Sequence, residues 1–134
     1  MSIEFALQQA LYALLTADPA LRALINGRVY DRAPKDVEFP YVSFGPSDDD
    51  EENLTGVDAG STAQQIDVWS QDGAGAEEAK RIGGAIRNAL HLQDMDLVGG
   101  SVILMQILSK RHLSDPDGVT THGIIVVGID FERD

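Results

Sequence analysis

The sequence predicts an α+β fold: a single, mainly antiparallel β-sheet with helices packed on a face. Three observations predict it. Apolar residues recur at helical spacing near the N-terminus and again across residues 76–91. Segments rich in β-branched and aromatic residues lie between and after those stretches, bounded by Gly, Pro, Asp or Ser. The last two such segments are joined by Asp115-Pro116-Asp117-Gly118, a connection short enough only for antiparallel neighbours. The element order is α-α-β-β-loop-β-α-β-β. There is no internal repeat and no linker, and a length of 134 residues suits one domain, 1–134.

The elements follow from local chemistry. Ser2 can cap a first helix with Glu4 in its first turn, where a carboxylate suits the dipole. Ile3, Leu7, Ala10, Leu11 and Leu14 share one face, and Phe5, Tyr12 and Leu15 widen it, so this helix is expected to pack on more than one surface. Asp18-Pro19 opens a short helix that runs through Ile25 and stops at Asn26-Gly27. Val29 to Arg32 is a short extended piece. Phe39 to Gly45 is a strand with Pro40 at its start, where a missing N–H is tolerated. Ser47 to Thr62 reads as a long acidic loop with Gly56 and Gly60, and loops of that length are usually functional or disordered.

Ala63 to Ser70 returns as a strand around Ile66, Val68 and Trp69, and Asp72 to Gly75 is a turn. Ala76 to His91 is a helix with Ala79, Ile82, Gly83, Ile86, Ala89 and Leu90 on its apolar face. Gly83-Gly84 costs roughly 1 kcal/mol per residue in helix propensity, which close approach of the helix to the sheet would offset. Ser101 to Leu113 and Val119 to Phe131 form a hairpin. It is apolar on both faces around Ile103 to Leu108 and Ile124 to Ile129, so it is expected at the centre of the sheet.

Charge is unevenly distributed. Between Asp36 and Ala79 lie twelve acidic residues and no Lys or Arg, which accounts for the entire net charge of −12, while the remainder is neutral. Asp48, Asp49, Asp50, Glu51 and Glu52 are consecutive. Such a field repels phosphate backbones over a Debye length of about 8 Å at physiological salt. With a pI near 4.4 it argues against generic nucleic-acid binding. There is no cysteine, which excludes disulfide and thiolate chemistry and fits a reducing cytoplasm. The longest strongly apolar stretch, Gly123 to Ile129, is far short of a membrane span, and the N-terminus reads as a helix rather than a signal peptide.

No catalytic or cofactor signature is present. Gly45-Pro46-Ser47-Asp48-Asp49 lacks the second glycine of a nucleophile elbow, and neither a Walker loop nor a dinucleotide glycine pattern occurs. A calcium loop counted from Asp48 would need Gly at its sixth position and Glu at its twelfth, which hold Asn53 and Ala59. His112 and His122 are expected to face each other across the hairpin, where two imidazoles could bind a metal or sense pH. No further ligand is spaced to complete a site, so a structural role is preferred. His91 is expected to favour the C-terminal dipole of its helix. Trp69 is either core under the second long helix or an anchor at a subunit interface. Lys110 and Arg111 form a small basic spot near the hairpin tip. They either block edge pairing or meet an acidic surface. An acidic and a basic patch on one subunit suit a head-to-tail contact, which closes into rings.

The order of motifs carries a resemblance. Residues 10–21 read Ala-Leu-Tyr-Ala-Leu-Leu-Thr-Ala-Asp-Pro-Ala-Leu and are followed by Gly27-Arg28-Val29-Tyr30-Asp31. Then come Phe39-Pro40-Tyr41-Val42-Ser43-Phe44-Gly45, Ile66-Asp67-Val68-Trp69-Ser70, Asp115-Pro116-Asp117-Gly118 and Thr121-His122-Gly123. From about Ala10 to Phe131 the chain resembles the tail-completion proteins of long-tailed phages, prophages and gene transfer agents, and looks like their tail terminator. The resemblance implies a structural, non-enzymatic virion protein without cofactor or metal, assembled in the bacterial cytoplasm. It implies a hexameric ring on the head-proximal end of the tail tube that stops tube polymerisation. Its partners would be the tail tube protein and a neck or stopper protein, and DNA would pass through without specific binding. The acidic loop with Asp48, Asp49, Asp50, Glu51, Glu52 and Asp58 is expected to face the lumen or a partner, and to be ordered only in the assembly. Trp69, Lys110 and Arg111 are candidate subunit contacts. The alternatives are another neck component (a stopper or adaptor), an acidic DNA mimic, or a metal-binding protein, including a metal-assisted hydrolase.

Overall fold

The computed structural model describes residues 2–73 and 75–134. Helix α1 spans Ile3–Ala17, with the Ser2 hydroxyl accepting from the Phe5 N–H at 3.2 Å. Helix α2 spans Pro19–Ile25, where the Asp18 carboxylate accepts from the Leu21 N–H at 2.9 Å. It ends in left-handed Asn26 and Gly27, with φ of 52° and 77°. The strands are β1 (Val29–Tyr30), β2 (Tyr41–Leu54), β3 (Val57–Ser70), β4 (Gly100–Ser114) and β5 (Thr121–Arg133), and helix α3 spans Glu77–Leu90. Their order in the sheet is β1-β2-β3-β5-β4. Among the described residues only the β1–β2 pair is parallel. The fold is therefore the predicted α+β sheet, with its helices on one face.

Period-2 alternation separates that covered face from the other. Ile66 and Val68 of β3 and Ile125, Val127, Ile129 and Phe131 of β5 are essentially fully buried against Leu7, Leu11, Leu15, Ile82, Ile86 and Leu90 of the helices. Each such side chain contributes roughly 1.5–3 kcal/mol of gross hydrophobic stabilisation. Gly83 supplies the expected close approach: a Cβ there would lie 3.3 Å from His112 Nε2 and 3.5 Å from Ile125 Cδ1. Gly84 does not, since a Cβ there meets nothing within 4 Å.

Four expectations are corrected. The acidic segment is not a loop. Residues 47–54 pair with 57–64 in unbroken antiparallel register from Ser47 opposite Gln64 to Leu54 opposite Val57, and only Thr55 and Gly56 turn the chain. A strand whose outward side chains are all solvated can consist of carboxylates, so it carries no hydrophobic period to betray it. It is held through β3, which is paired to β5 from Ala59 to Ser70.

The β4–β5 hairpin is also not central. β3 is central and β4 is an edge, made half-apolar by exposed Ile103, Leu104 and Leu108. His112 and His122 do not face each other: His112 is opposite Gly123 and His122 is opposite Leu113. The connection runs one residue longer than a three-residue bulged turn. Gly118 N–H donates to the Asp115 carbonyl, Asp115 N–H donates to the Thr120 carbonyl, and the Asp117 carboxylate accepts from the Val119 and Thr120 N–H groups. A one-residue slip sends the two imidazoles to opposite faces. Finally, Trp69 does not lie under a helix. It alternates with buried Val68 and Ser70 and projects from the face that the helices leave open. Of the predicted turn from Asp72 to Gly75, Ala74 lies outside the described residues.

Candidate functional site on the open face of the sheet

The strand register arranges the uncovered face in rows. At one end stand Tyr41, Trp69, His122 and Leu113, one from each long strand. The next row holds Ser43, Asp67, Ile124 and Arg111. Val126 and Leu108 cover the middle, Leu108 lying against the bare backbone of Gly128. At the far end Asp50 and Glu52 of β2 stand level with Asp130 and Glu132 of β5 across Ser61 and Ala59, and Asp48 stands level with Gly128 across Ala63.

The aromatic end is a connected cluster. The Trp69 and His122 rings stack at 3.9 Å and 12°, and Tyr41 stacks on the other side of Trp69 at 6.3 Å. Trp69 Nε1–H donates to Ser43 Oγ at 3.0 Å, and His122 Nε2 lies 2.7 Å from Asp67 Oδ1. Gln65 donates to the same Asp67 oxygen at 2.9 Å. Burial pushes the Tyr41 phenol upward, and the Asp67 charge adds to it. Asp67 is 6% exposed, although it sits on the uncovered face. Nothing in the sequence marked it beyond an acid inside an apolar strand, so Asp67, Ser43 and Tyr41 are members of this cluster that sequence reasoning missed.

The acidic run is divided by its strand. Asp48, Asp50 and Glu52 point to the open face. Asp49 and Glu51 point to the helix side, where Asp49 accepts from the Thr62 hydroxyl. Burial and then the charges of Glu4, Asp48, Asp50 and Glu51 raise the Asp49 carboxyl above the usual range. Arg133 neutralises the other helix-side acids, reaching Glu51 at 2.8 Å, Asp58 at 2.9 Å and Glu4 at 3.8 Å. The bond to Arg133 holds Glu51 below its ordinary value. Of the six predicted acidic residues, Glu51 and Asp58 are thus tied internally, and Asp48, Asp50 and Glu52 remain as a solvent-facing row.

Lys110 and Arg111 lie exposed on the β4 edge, without an ion pair among the described residues. Arg111 stands on the open face in the row of Ser43 and Asp67, with β5 between it and Trp69, whereas Lys110 points to the helix side, so only Arg111 shares the face of Trp69. His91 caps the C-terminus of α3, as its position predicts, with its backbone N–H donating to the Arg87 carbonyl at 2.8 Å, and its ring makes a further contact. Its Nδ1 accepts from the Ile107 N–H at 3.1 Å, while the Leu92 N–H donates to the Met105 carbonyl at 2.8 Å. Together they cover the middle of the β4 edge.

The open face of the sheet thus carries an acidic row at one end and an aromatic row at the other. Among the described residues, no group of three or more His, Cys, Asp or Glu could hold a metal ion. The sequence is 27% identical over 122 residues to tail completion protein gp17 of Bacillus phage SPP1, covering 91% of this chain and 89% of that protein. The fold matches a chain in the virion of a native gene transfer agent particle with a TM-score of 0.90 at 27% identity, covering 98% of both. It also matches the structure of bacteriophage SPP1 gp17 with a TM-score of 0.64 at 26% identity, covering 93% of this chain and 88% of that one. The class is that of a structural protein of the virion tail. Residues 9–129 match the family Tail completion protein gp17, and the chain belongs to it.

Proposed function

We propose that the chain is a tail terminator. As a single domain it assembles into a hexameric ring on the head-proximal end of the tail tube, stops tube growth and joins the tail to the neck. It performs no catalysis. The observation that carries this reading is the likeness, over nearly the whole of both chains, to a component of a gene transfer agent virion. Membership of the tail-completion family supports it.

The charge distribution suits the role. With the open face turned toward the lumen, Glu52, Asp130 and Glu132 present carboxylates to passing DNA. Like-charge repulsion lets the duplex slide through without being held. The partners are the tube protein below the ring and a neck protein above it. Trp69 and its stacked neighbours form a rigid aromatic surface at the opposite end of the same face, suited to one of those contacts.

Gold labelling of a tagged chain in purified particles tests the position. Label confined to the head–tail junction is expected. Label along the tube or at its distal tip would refute the assignment.

A further inference from the structure

The sheet has two open edges of different character. On one flank, β1 pairs with β2 at Val42 and Ser43, and among the described residues no strand pairs with the outer edge from Phe44 onward. This flank carries Asp48, Asp49 and Asp50, with the α1 side chains Phe5 and Tyr12 exposed to 50% and 48% beside it. They line a cleft of about 360 Å³ with Gln8, Gln9, Asp31 and Phe44. On the other flank, β4 is covered at Met105 and Ile107 by Leu92 and His91, but not from Ser109 to Ser114. That stretch carries Lys110 and Arg111, with Leu92 and Leu108 exposed to 63% and 54% nearby.

We infer that the β4 flank of one copy pairs with the β2 flank of the next, so that one β-sheet runs continuously from subunit to subunit. The inference rests on the ring reading above and names the surfaces that close it. The occupant is set by charge. β2 against β2 would oppose acids to acids, and β4 against β4 would oppose bases to bases. Only the unlike pairing is attractive, and a contact between unlike patches is the kind that makes rings.

The register agrees. Across the sheet Arg111 lies level with Ser43 and Lys110 with Phe44. A shift of four positions, counted along β3 because β2 bulges between Phe44 and Ser47, brings Arg111 opposite Asp48 on the open face and Lys110 opposite Asp49 on the helix side. Ser109–Ser114 then runs beside Phe44–Asp50. It clears β1 at one end and stops at the His91 and Leu92 cover at the other. Four residues are about 13 Å along a strand, and the four strand spacings from one β2 to the next are about 19 Å. That stagger corresponds to a strand tilt of roughly 35°, within the range that closed sheets require.

The test is charge exchange read by native mass and electron microscopy. Lys110→Glu/Arg111→Glu and Asp48→Lys/Asp49→Lys alter the exposed side chains that this register opposes, and circular dichroism checks that both variants fold. Each variant alone is expected to lose ring assembly, free or on isolated tail tubes, by at least tenfold in the concentration needed. A chain carrying all four substitutions is expected to regain it, as is an equimolar mixture of the two variants. Wild-type rings with single-flank variants that assemble equally well would overturn the pairing and leave the ring reading standing. A wild-type chain that stays monomeric both free and on tubes would overturn both.

Discussion

His122 Nε2 approaches Asp67 Oδ1 at 2.7 Å along a sheet diagonal, with Asp67 opposite Ile124 and His122 opposite Trp69. The Asp67 side chain is 9% exposed and the His122 side chain 18%. The pair therefore sits under the Trp69 ring in a poorly solvated place on an otherwise open face. Removing the imidazole takes one of two side-chain partners, the other being Gln65, from a desolvated carboxylate and deletes one side of the Trp69 stack. His122→Ala is expected to destabilise the protein by about 2–3 kcal/mol in urea unfolding. Asp67→Asn, which keeps the shape and one hydrogen-bonding oxygen, is expected to cost about 1 kcal/mol less. Equal losses, or none, would show that the pair does not organise the row.

Neighbouring glycines in α3 should behave differently. Gly84 faces open space, and Gly84→Ala is expected to stabilise by about 1 kcal/mol through helix propensity. Gly83→Ala gains the same propensity but places a methyl 3.3 Å from His112 Nε2, in a contact the packed ring must yield to accommodate. Thermal unfolding of the two variants is expected to separate them by about 1–2 kcal/mol, with Gly83→Ala the less stable.

His112 packs beneath α3 with Nε2 buried and unpartnered among the described residues. Burial is the largest cause holding its pKa below the ordinary value, followed by the charges of Lys80 and Lys110, and a hydrogen bond donated by the ring to the Ala79 backbone carbonyl opposes them. The unfolded chain therefore binds a proton before the folded one does. Its contribution to stability is complete above about pH 6.5 and is lost as pH falls through the depressed folded value. Wild type minus His112→Gln, compared by urea titration at pH 7.5 and pH 5, isolates this group from His91 and His122. The difference is expected to shrink at the lower pH. A difference independent of pH would remove His112 as the cause.

Much of the fold was legible because its determinants are local. Ser2, Asp18 and Asn26-Gly27 bound the first two helices by hydrogen bonds and backbone conformations that need no tertiary context. Ile66, Val68, Ile82 and Ile86 declared the buried face through their periods. What was hidden depends on pairing. The strand of Asp48 to Glu52 is recognisable only through its β3 partner, and the face of His122 only through a turn one residue longer than its Asp-Pro-Asp-Gly start implies. The candidate site was legible as charge, in the acidic run and in Lys110 with Arg111. The division of that run between two faces follows from strand geometry that composition cannot express.

Tail length in particles made without this chain tests the terminator role most directly. In cells carrying an in-frame deletion, electron microscopy is expected to find tubes that overrun the normal length and heads without attached tails, both restored by supplying the chain. Tails of unchanged length still joined to heads would contradict the terminator assignment.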